Sequence, residues 1–328
     1  MKTTGRPSLL PIWGHGPDSA MAAALRGLAI ALFCLSALPV DAQTPEAHTP
    51  NAHTPDAPVA NGVAGAVAAG SPSRSLPRSV YIEDLTWTEV RDALANGVTG
   101  ALLYAGSTEQ NGPHLALGKH NFMARWVGGA LARSLGTVLA YPVLPFAPTG
   151  DVVARTGHMR FPGSVSLSAS TYALVMAELA ASARAAGFSR IFLLGDHAAG
   201  EPVLAQLALE LDRLWVPDGV RVLHVAALNV EGEQRTRAFL ASRGLRVGDH
   251  AGLPDAAALM AIDEARRWVH PEQFGKASVA TGVDGDPRGA TAALGQVLLQ
   301  IRVDAALEQI RRFEAGLVPT PRGNSGTP

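Results

Sequence analysis

From Val80 onward, short apolar runs alternate with segments of helical length, and this alternation limits the fold more than any other feature. Gly100–Ala105 (GALLYA) and Arg190–Gly195 (RIFLLG) have the length of strands and no polar face, as expected for strands covered on both sides. Further strands are expected near 138–144 and over 221–227. Helical segments are expected at 85–96, 121–135, 168–186, 201–215, 231–243, 254–267 and 289–315. Strands alternating with helices predict an α/β fold, a three-layer α/β/α sandwich with a largely parallel central sheet. One domain over 79–318 accounts for the whole pattern, followed by a disordered tail at 319–328.

The residues ahead of that domain carry no such pattern. Met21 to Leu38 holds one Arg and then an apolar run of about a dozen residues, shorter than the ~20 that span a bilayer. Val40 and Ala42 supply small residues for cleavage before Gln43, so 1–42 reads as a signal peptide and the protein as exported, periplasmic or secreted. An uncleaved membrane anchor is the competing reading, and translation from Met21 rather than Met1 is an alternative start. After cleavage no stable membrane association is expected. Residues 43–78, with TPEAHTPNAHTPDAPVA, read as a flexible Pro/Ala/Thr-rich linker in which His48 and His53 are solvated spacers. The single cysteine, Cys34, falls within the signal, so a metal site in the mature protein must use nitrogen and oxygen ligands. With 27 Lys and Arg against 28 Asp and Glu, no global field favours nucleic acid.

In parallel α/β sheets, ligands bind beyond the carboxyl ends of the strands. GSTEQNGPHL (106–115), followed by GKHN, lies after the first strand, and GDHAAGE (195–201) lies after the strand at 190–195. GHMRFPG (157–163) and GDHAGLPD (248–255) are further Gly-rich turns. Together these segments hold His114, His120, His158, His197 and His250. A hydrolytic metal needs three protein ligands and an open position for water, and Glu109, His120 and His197 can supply the three. The loop GVDGDP at 282–287 lacks the spacing of a calcium loop and reads as a surface turn.

The order of these motifs resembles the creatininase (creatinine amidohydrolase) family over about residues 79–265. The family pattern is G-S-x-E-x-H-G-x-H-L-P with a later Asp, then F-P-G-T, then N-G-H-G-G-N, then H-A-G-x-x-E-T-S. It appears here as GSTEQNGPHLA with His120, then FPGS, GDHAAG and HAGLPDAA. The resemblance implies that Glu109 and His197 are metal ligands and that His120 stands where a metal-bridging Asp usually lies. It implies that His250 is near the substrate as proton shuttle, with Asp255 its orienting partner or an extra ligand. His114, Asn111 and His158 are candidate substrate-binding residues.

Three departures bear on metal content. Asn111 replaces a histidine that ligates a second metal, Ala199 occupies a position that is glutamate in creatininase itself, and imidazole at 120 binds one ion where a carboxylate can bridge two. They point to one metal per chain, Zn²⁺ before Mn²⁺ given two imidazole ligands. The expected function is hydrolysis of a C–N bond of a small cyclic or linear amide by metal-activated water, in a homo-oligomer. The alternatives are a non-catalytic ligand-binding protein with a degenerate site, and a lactone-opening hydrolase on the same scaffold.

Overall fold

The computed structural model describes residues 77–316. The signal peptide, the linker except for its last two residues, and the tail expected from the sequence lie outside the described residues. Four strands form one parallel sheet: β1 (Gly100–Ala105), β2 (Val138–Ala140), β3 (Arg190–Gly195) and β4 (Arg221–His224), in the order β2-β1-β3-β4. Around them pack α1 (Trp87–Ala95), α2 (Lys119–Leu135), α3 (Ala169–Ala185), α4 (Glu201–Trp215), α5 (Val230–Ala241), α6 (Leu253–Ile262) and α7 (Ala292–Glu314).

Alternate residues of β1 feed two separate cores, as a pleated strand requires. Ala101, Leu103 and Ala105 pack with α3 and α4, whereas Leu102 and Tyr104 pack with α2 and α7. The sheet is therefore covered on both faces, in the three layers expected. A third apolar cluster joins α6 and α7 to the loops around Leu115, Val269 and Val283. Gly295 of α7 permits that junction, since a Cβ there would sit 1.8 Å from the Ala257 carbonyl oxygen.

Helix ends follow local chemistry. Thr86 and Glu89 form a capping box at α1, and Gly136 closes α2 in the left-handed region at φ 69°. The sequence pattern suggests a helix over 254–267, but α6 stops at Ile262. There the buried Asp263 carboxylate accepts from the backbone N–H groups of Arg267, Trp268 and Val269 and folds the chain into a turn. No helix among the described residues is long and apolar enough to cross a membrane.

The topology itself locates a crevice. From β1 the chain moves outward to β2, then returns to the other side of β1 to form β3. The strand order reverses between β1 and β3, and loops leaving those carboxyl ends diverge to opposite faces. Ala105 pairs with Gly195, and Asp196 N–H donates to the Ala105 carbonyl at 2.9 Å. Thus the two richest polar motifs of the sequence leave the sheet side by side.

Candidate metal centre

Glu109 lies in the turn after β1, fully buried, with its backbone N–H held by the Leu117 carbonyl at 3.0 Å. Its Oε2 accepts from Ser107 Oγ at 2.8 Å and faces His197 Nε2 at 3.0 Å. Its Oε1 faces His120 Nε2 at 3.0 Å, His158 Nε2 at 3.7 Å and His250 Nδ1 at 3.9 Å. Four imidazoles from four segments therefore surround one carboxylate. His120 is the second residue of α2, His197 follows β3, His158 sits on a 3-10 turn at Gly157–Arg160, and His250 lies in the loop before α6. Donor atoms of Glu109, His158 and His197 all fall within 4.8 Å of one another.

The His120 contacts suit a shared ion. Its Nδ1 donates to Asp196 Oδ2 at 2.7 Å, so a neutral ring carries its lone pair on Nε2. That lone pair would oppose the Glu109 Oε1 lone pairs at 3.0 Å unless a proton or a metal ion lies between them. Two ligands each about 2 Å from one tetrahedral zinc ion stand about 3 Å apart, so the spacing fits a shared metal. His197 Nδ1 has no partner among the described residues, so the ring can carry its proton there and turn an Nε2 lone pair to an ion shared with Glu109 Oε2, 3.0 Å away. The donor set, one carboxylate and several imidazoles without sulfur, suits Zn²⁺.

The surrounding charges reinforce the arrangement. Burial would raise the Glu109 carboxyl, but His120 and His197 outweigh it and hold the group far below the usual carboxylate range. Burial and Lys119 oppose a charge on His120, yet Glu109 and Asp196 keep its pKa above the ordinary value. Burial, with Lys119 adding to it, pushes His250 down to about 3, so this ring is neutral at physiological pH. Burial likewise lowers His158. Exposure rises across the cluster, from 10% for the His120 side chain to 22% for His158. The centre therefore opens on the side of His158 and His250.

The structure brings together Glu109, His120, His158, His197 and His250 from the residues singled out in the sequence. The other three make their contacts elsewhere. His114 is completely buried, its Nε2 bonded to the Ala251 carbonyl at 2.8 Å and its ring edge-on to Phe274. Asn111 is also buried and donates to the Glu109 and Ala116 carbonyls, shaping the turn that presents Glu109. Asp255 does not face His250. It accepts from Lys119 Nζ at 2.6 Å and from Ala251 N–H at 2.7 Å, and Lys119 and the nearby histidines hold its pKa at about 2 against burial. Ala251 has φ 54°, a left-handed conformation unusual for alanine, and the Asp255 contact secures it next to His250.

Residues outside the expected ligand and substrate-binding sets complete the site. Asp196, adjacent to His197, supports His120 instead, and it also accepts from Tyr104 Oη at 3.2 Å and Arg302 at 2.5 Å. Arg302 lies on α7, 106 residues away, and no local signal marks it. Gln110 touches His158 and His250, and its position beside Glu109 in the first motif was the available hint.

A family model for creatinine amidohydrolase matches residues 83–310. The mycofactocin precursor peptide peptidase of Mycolicibacterium smegmatis is 28% identical over 239 residues, covering 69% of this chain and 90% of that protein. Its Mycobacterium tuberculosis counterpart is 28% identical over 244 residues, covering 66% and 85%. A solved creatinine amidohydrolase shares the fold with a TM-score of 0.58 at 20% identity, over 72% of this chain and 98% of that one. A manganese form of creatininase gives 0.56 at 20% identity, over 72% and 99%. The match extends from before α1 into the last helix and spans both strands that carry the centre, so this chain belongs to the creatininase family.

Proposed function

We propose that the protein is a metal-dependent amidohydrolase that uses water to cleave a C–N bond of a small amide. The observation that carries the reading is the Glu109 carboxylate, buried at the switch point of the sheet with His120 and His197 each 3.0 Å away. Glu109, His120 and His197 would hold one divalent ion, zinc before manganese. When bound, such an ion polarises a carbonyl and brings water towards a neutral pKa.

The protein's own groups supply the rest. Asp196 fixes the His120 ring, and Arg302 with Tyr104 fixes Asp196. His250, neutral and on the open side, takes the proton from the attacking water and delivers it to the leaving nitrogen. Asp255 acts at one remove, because it neutralises the Lys119 ammonium that borders the cluster.

A second reading, hydrolysis of a bond in a short peptide, is favoured by the relatives named peptide peptidases, whose lengths this chain covers by 85% and 90%. One screen separates the two: cyclic and linear amides beside short peptides, with and without chelator, on protein of measured metal content. Chelator-sensitive turnover of the amides supports the first reading, and turnover of peptides alone supports the second. A protein that binds metal yet turns over neither would instead favour a ligand-binding role.

A further inference from the structure

We infer that Gln110 sets the proton positions of two active-site histidines, so that His158 presents an N–H and His250 a lone pair to the reacting atoms. The inference rests on the amidohydrolase reading for its chemistry, but its geometry stands alone.

The side-chain amide of Gln110 cannot be turned over. Its Nε2 donates to the Gly282 carbonyl at 2.9 Å, and its Oε1 accepts from Gly112 N–H at 2.9 Å. Both backbone partners specify which end is nitrogen. Gly282, at φ 83°, allows this approach, since a Cβ there would stand 2.2 Å from Gln110 Oε1.

One amide hydrogen serves Gly282 and one remains. Two ring nitrogens lie within reach, His158 Nδ1 and His250 Nε2, each at 3.1 Å. His250 Nε2 is also 2.9 Å from the Gln110 carbonyl oxygen, which can only accept, so His250 carries its proton on Nε2. The second amide hydrogen therefore goes to His158 Nδ1. This assignment satisfies every contact, and the opposite one sets the His250 lone pair against a carbonyl and leaves His158 Nδ1 without a donor.

Both rings are then Nε2–H tautomers, but they face the centre with opposite ends. His158 turns its Nε2 towards Glu109, and His250 turns its Nδ1. His158 thus donates to the developing oxyanion. His250 Nδ1 takes a proton as the water oxygen bonds to the carbonyl carbon, and returns it to the nitrogen as the C–N bond breaks. Each ring ends the cycle in the tautomer with which it began. The same logic sets His158 apart from the metal ligands, although its ring shares the 4.8 Å donor group with Glu109 and His197, and favours His120, 3.0 Å from Glu109 Oε1, as the third.

Ring ¹⁵N spectra of the zinc-loaded full chain test this without turnover. The wild type should show Nε2–H for both His158 and His250, with no metal-bound nitrogen on His158. Gln110→Glu should switch His158 to Nδ1–H, since a carboxylate accepts where the amide donated, while His250, held by the backbone carbonyl, stays Nε2–H. If Gln110→Glu does not fold, Gln110→Met should leave His158 in mixed tautomers. With a substrate in hand, Gln110→Glu, which turns the His158 N–H away from the centre, should lower kcat by about 10²-fold or more, as for loss of an oxyanion donor, with little change in KM. Gln110→Met should lower kcat only in proportion to the Nε2–H tautomer lost. His158→Ala should keep zinc affinity within about 3-fold of wild type, whereas His120→Ala should lose at least ~10²-fold. A zinc-bound Nε2 on His158, or a His158 tautomer unmoved by both Gln110 variants, would overturn the inference even in an active amidohydrolase. The expected tautomers in a protein inert towards every amide would sustain the proton assignment and defeat the functional reading instead.

Discussion

His120 Nδ1 lies 2.7 Å from Asp196 Oδ2, joining the first turn of α2 to the residue after β3. A carboxylate behind a ligating imidazole holds the ring in one tautomer and raises its basicity. Asp196→Asn should therefore weaken zinc retention by about 10- to 100-fold. Competition with a chromogenic chelator measures this, with circular dichroism to show that the fold is kept. Affinity within threefold of the wild type would mean that His120 is not a ligand.

Glu109 and His197 belong both to the set expected from the sequence and to the group, with His158, whose donor atoms lie within 4.8 Å of one another. His197→Ala should release metal and reduce hydrolysis by several orders of magnitude, because the water is no longer activated. The substitution lies outside the packed core, so thermal unfolding of metal-free protein should barely move. Unchanged metal content by elemental analysis would remove the basis of the assignment.

Lys119 is almost wholly buried and its ammonium is paired with Asp255 at 2.6 Å. Asp255→Asn leaves that charge without its partner and should destabilise the metal-free protein by about 3–5 kcal/mol at neutral pH. The Asp255 pKa is depressed from 3.8 to about 2, so its contribution is complete above about pH 4 and disappears as pH falls through about 2. Wild-type stability should drop by ~2 kcal/mol more than the variant's across that window. Urea titrations at several pH values test both statements, and parallel pH dependences would show that the pair is not coupled to folding.

Gly295 is a packing constraint rather than a flexible point. Gly295→Ala should cost more than ~3 kcal/mol, since neither helix can yield 1–2 Å without disturbing the third core. Gly219→Ala, at φ 76° with nothing within 4 Å, should cost only about 1 kcal/mol from backbone strain. For a domain of this size the first corresponds to a Tm fall of roughly 10 °C. Equal shifts for the two variants would contradict the close α6–α7 contact.

The strands at 100–105 and 190–195 and the placement of Glu109 and His197 beyond them were legible in the sequence, because apolar runs and Gly-rich turns are local signals. The layers followed from the alternation of elements, and the family from the order of four motifs. Partners were not legible. Arg302 reaches Asp196 across 106 residues and Lys119 reaches Asp255 across 136, and no periodicity encodes which charges meet across a core. Asp196 adjoins His197 in the sequence, but successive residues leave a strand in opposite directions, and its carboxylate meets His120 at the start of a helix. His114 and His158 looked alike as loop histidines. Only the packed structure turns one into the wall against Phe274 and brings the other, through the amide of Gln110, to the open side of the centre. Local order is written in spacing and apolar period, while hydrogen-bond direction at a site depends on which backbone carbonyls the fold sets beside it.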